Sequence, residues 1–585
     1  MTMRRGTFLK ATLAAVAGTP ALAREPAGAA AGTADLIVTG ATVHTVDDAQ
    51  PHAQAFAVRG GRFVYVGSPA GALALRGSHT EVLDLPGRTV LPGLIDAHLH
   101  LTGLGLDLQE ADLYGVNSPA ELVARTLAFA KTSPDRWIRG DGWDQNRWPD
   151  KAFPTHDELS RAFPDRPVVL GRVDGHALLA NATAMALAGI TAATPDPAGG
   201  RIVRDARGVP TGVFIDNAMH ALEAAVPPPS PAQLERAIRA AAAQANRWGL
   251  TTVAEPGVSA AMLAAHQRIV DAGAATLRHY AMLSDDPGLI AGYLASGPVV
   301  AANGGLRWIR SIKLFADGAL GSRGAALLAP YSDDPGNSGL LRISRAHVQD
   351  VCERALRAGF QTCVHAIGDR ANRLVLDAFE AALRTVPVAD PRLRIEHAQV
   401  LAQADIPRFA QLGVIPSMQT THQISDMGWA QARLGPERVR GAYAWRSLLE
   451  SGVIIANGTD APVEPVNPLR TFHAAIARED ETNSPPGGWY PQQRMNRNEA
   501  LKSMTLWAAH ANFMDEVTGS IAPGKFADFV VMDRDWLSAA PEAIMGTTIV
   551  GTYLGGVRVY DGSSVAAAPR PRAKRTRSGT CCGLT

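Results

Sequence analysis

Asp96-Ala97-His98-Leu99-His100 sets two histidines two residues apart at the end of an apolar run, Leu94–His98. In an extended segment, side chains at i and i+2 share one face, so both imidazoles point the same way. Two neutral imidazoles so placed can share a divalent cation. His365 closes the run Gln361–His365 and His397 closes Leu393–His397, and this pair could hold a second ion. Asp460, just past Val453–Asn457, offers a hard oxygen that can also accept a proton from metal-bound water. Lys313, inside Ile309–Phe315, is the odd member, because an ammonium is repelled by cations. A buried lysine can instead react with CO2, and the carbamate (N6-carboxylysine) is an anionic bridge between two metals. A lone histidine at a strand end is more often a core or capping residue. Six suitable residues at the mouths of five strands argue for one shared site. His156, His176, His220, His266, His279, His422, His473 and His510 lack that agreement, and a structural role is preferred for most of them.

These residues need a frame that brings strand ends together. The apolar runs already named are joined by Leu250–Ala254, Arg278–Met282 and Val414–Met418, which makes eight strand candidates. Amphipathic stretches such as Pro231–Trp248, Arg345–Ala358 and Arg370–Arg384 separate most of them. Eight strands alternating with helices predict an α/β chain built on a (β/α)8 TIM barrel, whose active site gathers at the C-terminal strand ends. The long first connection predicts an insertion, about residues 106–230, with a turn signal at 195–200. Short strands before the barrel (Asp35–Val38, Ala55–Val58, Phe63–Val66, with Gly60-Gly61 as a hairpin turn) and after it (Ala527–Met532, Gly556–Tyr560) predict a β-sandwich assembled from both ends of the chain. The expected organisation is a signal peptide at 1–23, a linker at 24–34, sandwich parts at 35–90 and 518–562, the barrel at 91–517 and a disordered tail at 563–585.

Of 585 residues, 46% are hydrophobic and 19% charged, with a formal net charge of +1, so nothing argues for nucleic acid or an anionic membrane as partner. The four cysteines show neither zinc-ribbon spacing nor a disulfide framework, and Cys352 and Cys363 read as small buried hydrophobes. Cys581-Cys582 have no assigned role. Arg4-Arg5, the apolar run Phe8–Val16 and Ala21-Leu22-Ala23 form an export signal resembling the twin-arginine type, with one extra residue before Phe8. The mature chain is expected to be periplasmic or secreted, with no membrane span.

Six motifs in order resemble the amidohydrolase superfamily, specifically its N-substituted formamide deformylase-like (YtcJ-like) branch. They are residues 91–100, 312–318, 364–371, 394–399, 458–463 and 519–528, and the resemblance runs from about Ala34 to about Gly562. It implies His98, His100 and Asp460 on one metal, His365 and His397 on another, and Lys313 bridging as a carbamate. It further suggests zinc and a homodimer, although imidazole and carboxylate donors also accept other divalent ions. The expected activity is hydrolysis of an amide, N-acyl or N-formyl bond of a small molecule by metal-activated hydroxide, with Asp460 as general base and then acid. A carbamate, ester or lactone hydrolase, an isomerase, or a noncatalytic binding protein are the alternatives. Expected substrate contacts are Arg323 in a glycine-rich loop, Asp317 of the fourth-strand motif, Trp143 with Trp148 as an apolar wall, and His176 in Asp174-Gly175-His176. Each has a bland counterpart as a surface, core or capping residue. Glu255-Pro256 and Asp216 depart from the usual family pattern.

Overall fold

The computed structural model describes residues 32–562 except Asp174. The export signal, all but the last three residues of the expected linker, Cys581-Cys582 and the rest of the tail lie outside the described residues. Eight short runs pair in parallel as β1 (Leu94–Asp96), β2 (Leu250–Val258), β3 (Arg278–Leu283), β4 (Arg307–Phe315), β5 (Gln361–Ala366), β6 (Arg394–His397), β7 (Ile415–Met418) and β8 (Ala456–Asn457). The barrel closes where Ala97 N donates to Asn457 O across 3.1 Å. Most of these strands are buried along their whole length, which is why they read as unbroken apolar runs rather than alternating ones. The expected (β/α)8 architecture is the one observed.

The outer helices form for local reasons. Pro231–Arg247 starts with a capping box between Ser230 and Gln233. It buries Leu234, Ala237, Ile238, Ala241, Ala242 and Ala245, the stripe expected at a 3.6-residue period. Ser259 and Ser344 cap the helices Ala260–Asp271 and Arg345–Arg357 more simply, each side chain accepting one backbone N–H.

Both ends of the chain build the flanking sandwich. One sheet holds Leu36–Thr39, Ala55–Arg59, Arg62–Gly67 and Glu81–Asp84, and in the other Thr89–Pro92 pairs antiparallel with Phe529–Met532. Gly60 and Gly61 turn the hairpin at φ of 57° and 74°, angles that side chains resist. A buried fork of Arg278 on Asp528 (2.6 and 2.8 Å) ties β3 to the sandwich. The insertion after β1 carries its own six-stranded sheet, from Ala111–Asp112 to Pro210–Asp216, over a separate apolar core. Cys352 and Cys363 are free and buried, as expected, and burial pushes both thiols up to about 12. Among the described residues no helix is long and apolar enough to cross a membrane.

Candidate active site

The strand-end residues converge. His98 and His100 follow β1, and their Nε2 atoms lie 3.5 and 3.3 Å from Asp460 Oδ1. The His397 ring sits 4.9 Å from His98 and 4.6 Å from His365, centroid to centroid. Lys313 on β4 is fully buried, with Nζ 4.9 Å from the centre of the Phe315 ring and no hydrogen-bond partner. All six residues expected to form the site are therefore at one barrel mouth.

The loop after β8 is laced onto β1. Asp460 N donates to His98 O (2.7 Å) and His100 N to Ala461 O (3.0 Å). Thr459 donates its backbone N–H and its hydroxyl to Asp96 (3.0 and 2.7 Å). Gly458 is required here, since a Cβ would lie 2.6 Å from both Asp96 Oδ1 and His98 N. His397 and Asp460 adopt left-handed backbone, φ 73° and 57°, a strained conformation typical of functional sites.

A buried carboxylate selects the tautomer of His98. Glu396 Oε2 lies 2.6 Å from His98 Nδ1, so Nδ1 carries the proton and Nε2 keeps its lone pair toward Asp460. Arg394 holds Glu396 from behind, Nε to Oε1 at 2.9 Å and Nη2 to Oε2 at 3.1 Å, and itself donates to Ala97 O, Ser417 Oγ and Asn512 Oδ1. Burial pushes the Glu396 carboxyl up, but Arg394, His98 and Lys313 outweigh it and hold it well below the carboxylate range. Gln419 Oε1 orients His397 likewise, 2.7 Å from Nδ1.

Burial, then Lys313, lowers His98 to about 4, against Glu396 and Asp460. Burial, then His365, carries His397 well below the imidazole range. Asp460 is pushed up by burial, yet His98, His100 and His397 hold it well below the ordinary carboxylate value. The result is two neutral imidazoles, His98 and His397, beside an ionised carboxylate, donors that suit a divalent cation of borderline softness. His98 Nε2, His397 Nε2 and both ring nitrogens of His365 are buried without a hydrogen-bond partner, as metal donors would be. The donors fit such an ion.

Sequence reasoning left out three contributors. His422 follows β7 by one helical turn, in Thr420–Asp426, and its Nε2 lies 3.6 Å from Asp460 Oδ2. It lies beyond the strand end, and the signal that marks it is its place one turn past Met418 on the same barrel mouth. Glu396 precedes His397, so strand alternation assigns the two to opposite faces. The positive φ of His397 takes it out of alternation, and both side chains reach His98. Gln419 gives no signal without knowledge of that bend.

The residues expected to touch substrate are placed as follows. Asp317 is fully buried and accepts from Ile367 N (3.0 Å), Ala326 N (2.8 Å) and Gly368 N (2.8 Å). These three bonds pin the loops after β4 and β5, and Oδ1 also lies 3.3 Å from His365 Nε2 without forming a hydrogen bond to it. Trp143 and Trp148 are corrected from pocket wall to core: both are buried in the insertion, with indole N–H groups on Leu170 O and Val116 O. Arg323 forks onto Asp333 at 3.2 and 3.0 Å. His176 is exposed on the insertion, its Nδ1 2.9 Å from Asp216 Oδ1. Glu255 caps the helix that follows His100, accepting from Thr102 N at 2.7 Å, and pairs with His279 at 2.8 Å.

The sequence profile of the amidohydrolase family matches residues 81–560. The chain belongs to the amidohydrolase family. This amidohydrolase is 34% identical over 545 residues to Protein LONG AFTER FAR-RED 3 of Arabidopsis thaliana, covering 90% of this chain and 92% of that one. It is 29% identical over 549 residues to N-substituted formamide deformylase of Arthrobacter pascens, covering 90% and 98%. An uncharacterized metal-dependent hydrolase from Pyrococcus furiosus superposes with a TM-score of 0.74 at 30% identity, over 86% of this amidohydrolase and 100% of that chain. Fold, family and donor set agree on a metal-dependent hydrolase.

Proposed function

We propose that this amidohydrolase cleaves an amide-like C–N bond, of N-acyl or N-formyl type, in a small molecule. The observation that carries the proposal is the buried Asp460 carboxylate, 3.3 Å from His100 Nε2 and 3.5 Å from His98 Nε2, at the mouth of the barrel. The likeness to N-substituted formamide deformylase along nearly its whole length supports the choice of bond.

His98, His100, His365, His397 and Asp460 would hold one or two divalent ions, zinc in this reading. Such an ion supplies Lewis acidity, lowering the pKa of water toward neutrality and polarising a carbonyl. Glu396 and Gln419 keep His98 and His397 in the tautomers that present Nε2 lone pairs. Lys313 Nζ, buried without a partner, would carry the cost of an unpaired ammonium; addition of CO2 to the amine, with loss of two protons counted from the ammonium, replaces it by an anion suited to join two donor sets. Asp460 accepts the proton of the attacking water and returns it to the leaving nitrogen. Its ionised state at neutral pH suits the first half of that exchange.

The test is turnover of N-formyl and N-acyl amines beside their matched esters, in the wild type and in Asp460→Asn. Amide turnover in the wild type that falls about 10²–10⁴-fold in the variant, with metal retained, supports the proposal. Ester turnover alone overturns the bond assignment, and near-wild-type turnover in the variant overturns the role of Asp460.

A further inference from the structure

We infer that His422 is a metal-holding residue, the third donor of a set with His397 and Asp460, so that the Asp460 carboxylate serves two donor sets with one oxygen each. The inference rests on the metal-dependent reading of the site and adds a residue that the strand-end pattern does not include. Asp460 Oδ1 faces His98 Nε2 and His100 Nε2, whereas Oδ2 faces His422 Nε2 at 3.6 Å. Donor atoms of His397, His422 and Asp460 lie within 4.8 Å of one another, as do those of His98, His100 and Asp460. The His422 ring stacks near-parallel on His397, 24° between planes and 5.8 Å between centroids. Its Nε2 is buried and has no hydrogen-bond partner, a costly arrangement for an imidazole kept only for packing.

The helix that carries His422 is fixed on several sides. At its start, Thr420 is fully buried: its N–H donates to Asn457 Oδ1 (3.2 Å) and its hydroxyl to Thr471 O (2.7 Å). One turn past His422, Ser425 donates to Glu464 and Asp426 accepts from Tyr443 Oη (2.6 Å) and Gln399 Nε2 (3.0 Å). Glu464 stands four residues beyond Asp460 and Gln399 two beyond His397, so the loops bearing the other two donors also clamp this helix. Gln419, the residue before the helix, orients His397. One segment, Gln419–Asp426, thus aims His397 and supplies His422. Two imidazoles and a carboxylate form a donor set that takes zinc, cobalt and related ions.

Co2+ titration of metal-stripped full-length protein, read by equilibrium dialysis and visible absorption, tests the inference in the wild type, His422→Ala and His422→Cys. The wild type should take up about two equivalents. His422→Ala should bind one of them more than about 100-fold more weakly, since even partners behind the ligands alter metal affinity 10–100-fold. His422→Cys should restore binding and add a thiolate-to-Co2+ charge-transfer band, which arises only if residue 422 is a ligand. A wild-type isotherm in His422→Ala, with no such band in folded His422→Cys, overturns the inference and leaves the metal reading standing. No Co2+ uptake by the wild type overturns both.

Discussion

Replacing Glu396 by glutamine should separate the architectural role of the buried ion pair from its role at the metal site. Glu396 and Arg394 are fully buried, 2.9 and 3.1 Å apart at their two contacts, and Glu396 also takes the His98 proton at 2.6 Å. Glutamine keeps the shape and one acceptor oxygen but removes the charge that compensates the guanidinium. Breaking a buried pair from one side costs about 3–5 kcal/mol. At about 1 °C per kcal/mol for a chain of this size, the melting temperature should fall by about 3–5 °C. Replacing Arg394 by methionine as well removes the stranded cation, and the double variant should recover about half of that loss or more. Metal affinity should behave differently. The weaker hold on the His98 tautomer should lower it about 10–100-fold in E396Q, and the double variant should not recover. Differential scanning fluorimetry of the metal-free protein and metal titration measure the two effects separately. An E396Q variant that melts within about 1 °C of wild type, or that binds metal with unchanged affinity, would rule out these two roles for Glu396.

Gly458→Ala forces a Cβ to within 2.6 Å of Asp96 Oδ1 and His98 N, so it should cost about 1–3 kcal/mol and lower metal content, read by thermal melts and elemental analysis. Burial pushes the Glu464 carboxyl up to about 8, against Arg470 and a hydrogen bond from Ser425. The unfolded chain ionises this group above its ordinary value of 4.5 while the folded chain resists until about pH 8, so its contribution to stability falls as pH rises through that window, by about 5 kcal/mol. Glu464→Gln should therefore melt higher than wild type at pH 8 and show little difference at pH 4; equal differences at both would contradict this. Trp143→Ala, which empties a buried site in the insertion core, should cost about 3–5 kcal/mol locally and leave metal content unchanged, as limited proteolysis beside elemental analysis will report.

The barrel was legible because its strands are buried on both faces and therefore stand out as apolar runs between amphipathic helices. His98, His100, Lys313, His365, His397 and Asp460 were legible because a barrel collects its chemistry at C-terminal strand ends, a rule that needs only element order. His422 escaped because it lies one helical turn beyond β7, where the strand-end rule no longer applies. The role of Glu396 escaped because it depends on a backbone bend at His397, and no side-chain pattern announces a positive φ at histidine. Trp143, Arg323 and His176 show a different limit. Their residue types suit ligand contact, but their partners Leu170, Asp333 and Asp216 are 27, 10 and 40 residues away, and pairing at such distances is settled by tertiary packing.

Whether the barrel mouth holds a carbamate-bridged metal pair is decided by metal content per chain, measured by plasma mass spectrometry on protein produced with bicarbonate present and beside Lys313→Ala. About two divalent ions per wild-type chain and a marked loss in the variant are expected. No metal in the wild type, under conditions that load a control metalloenzyme, would contradict the metal pair.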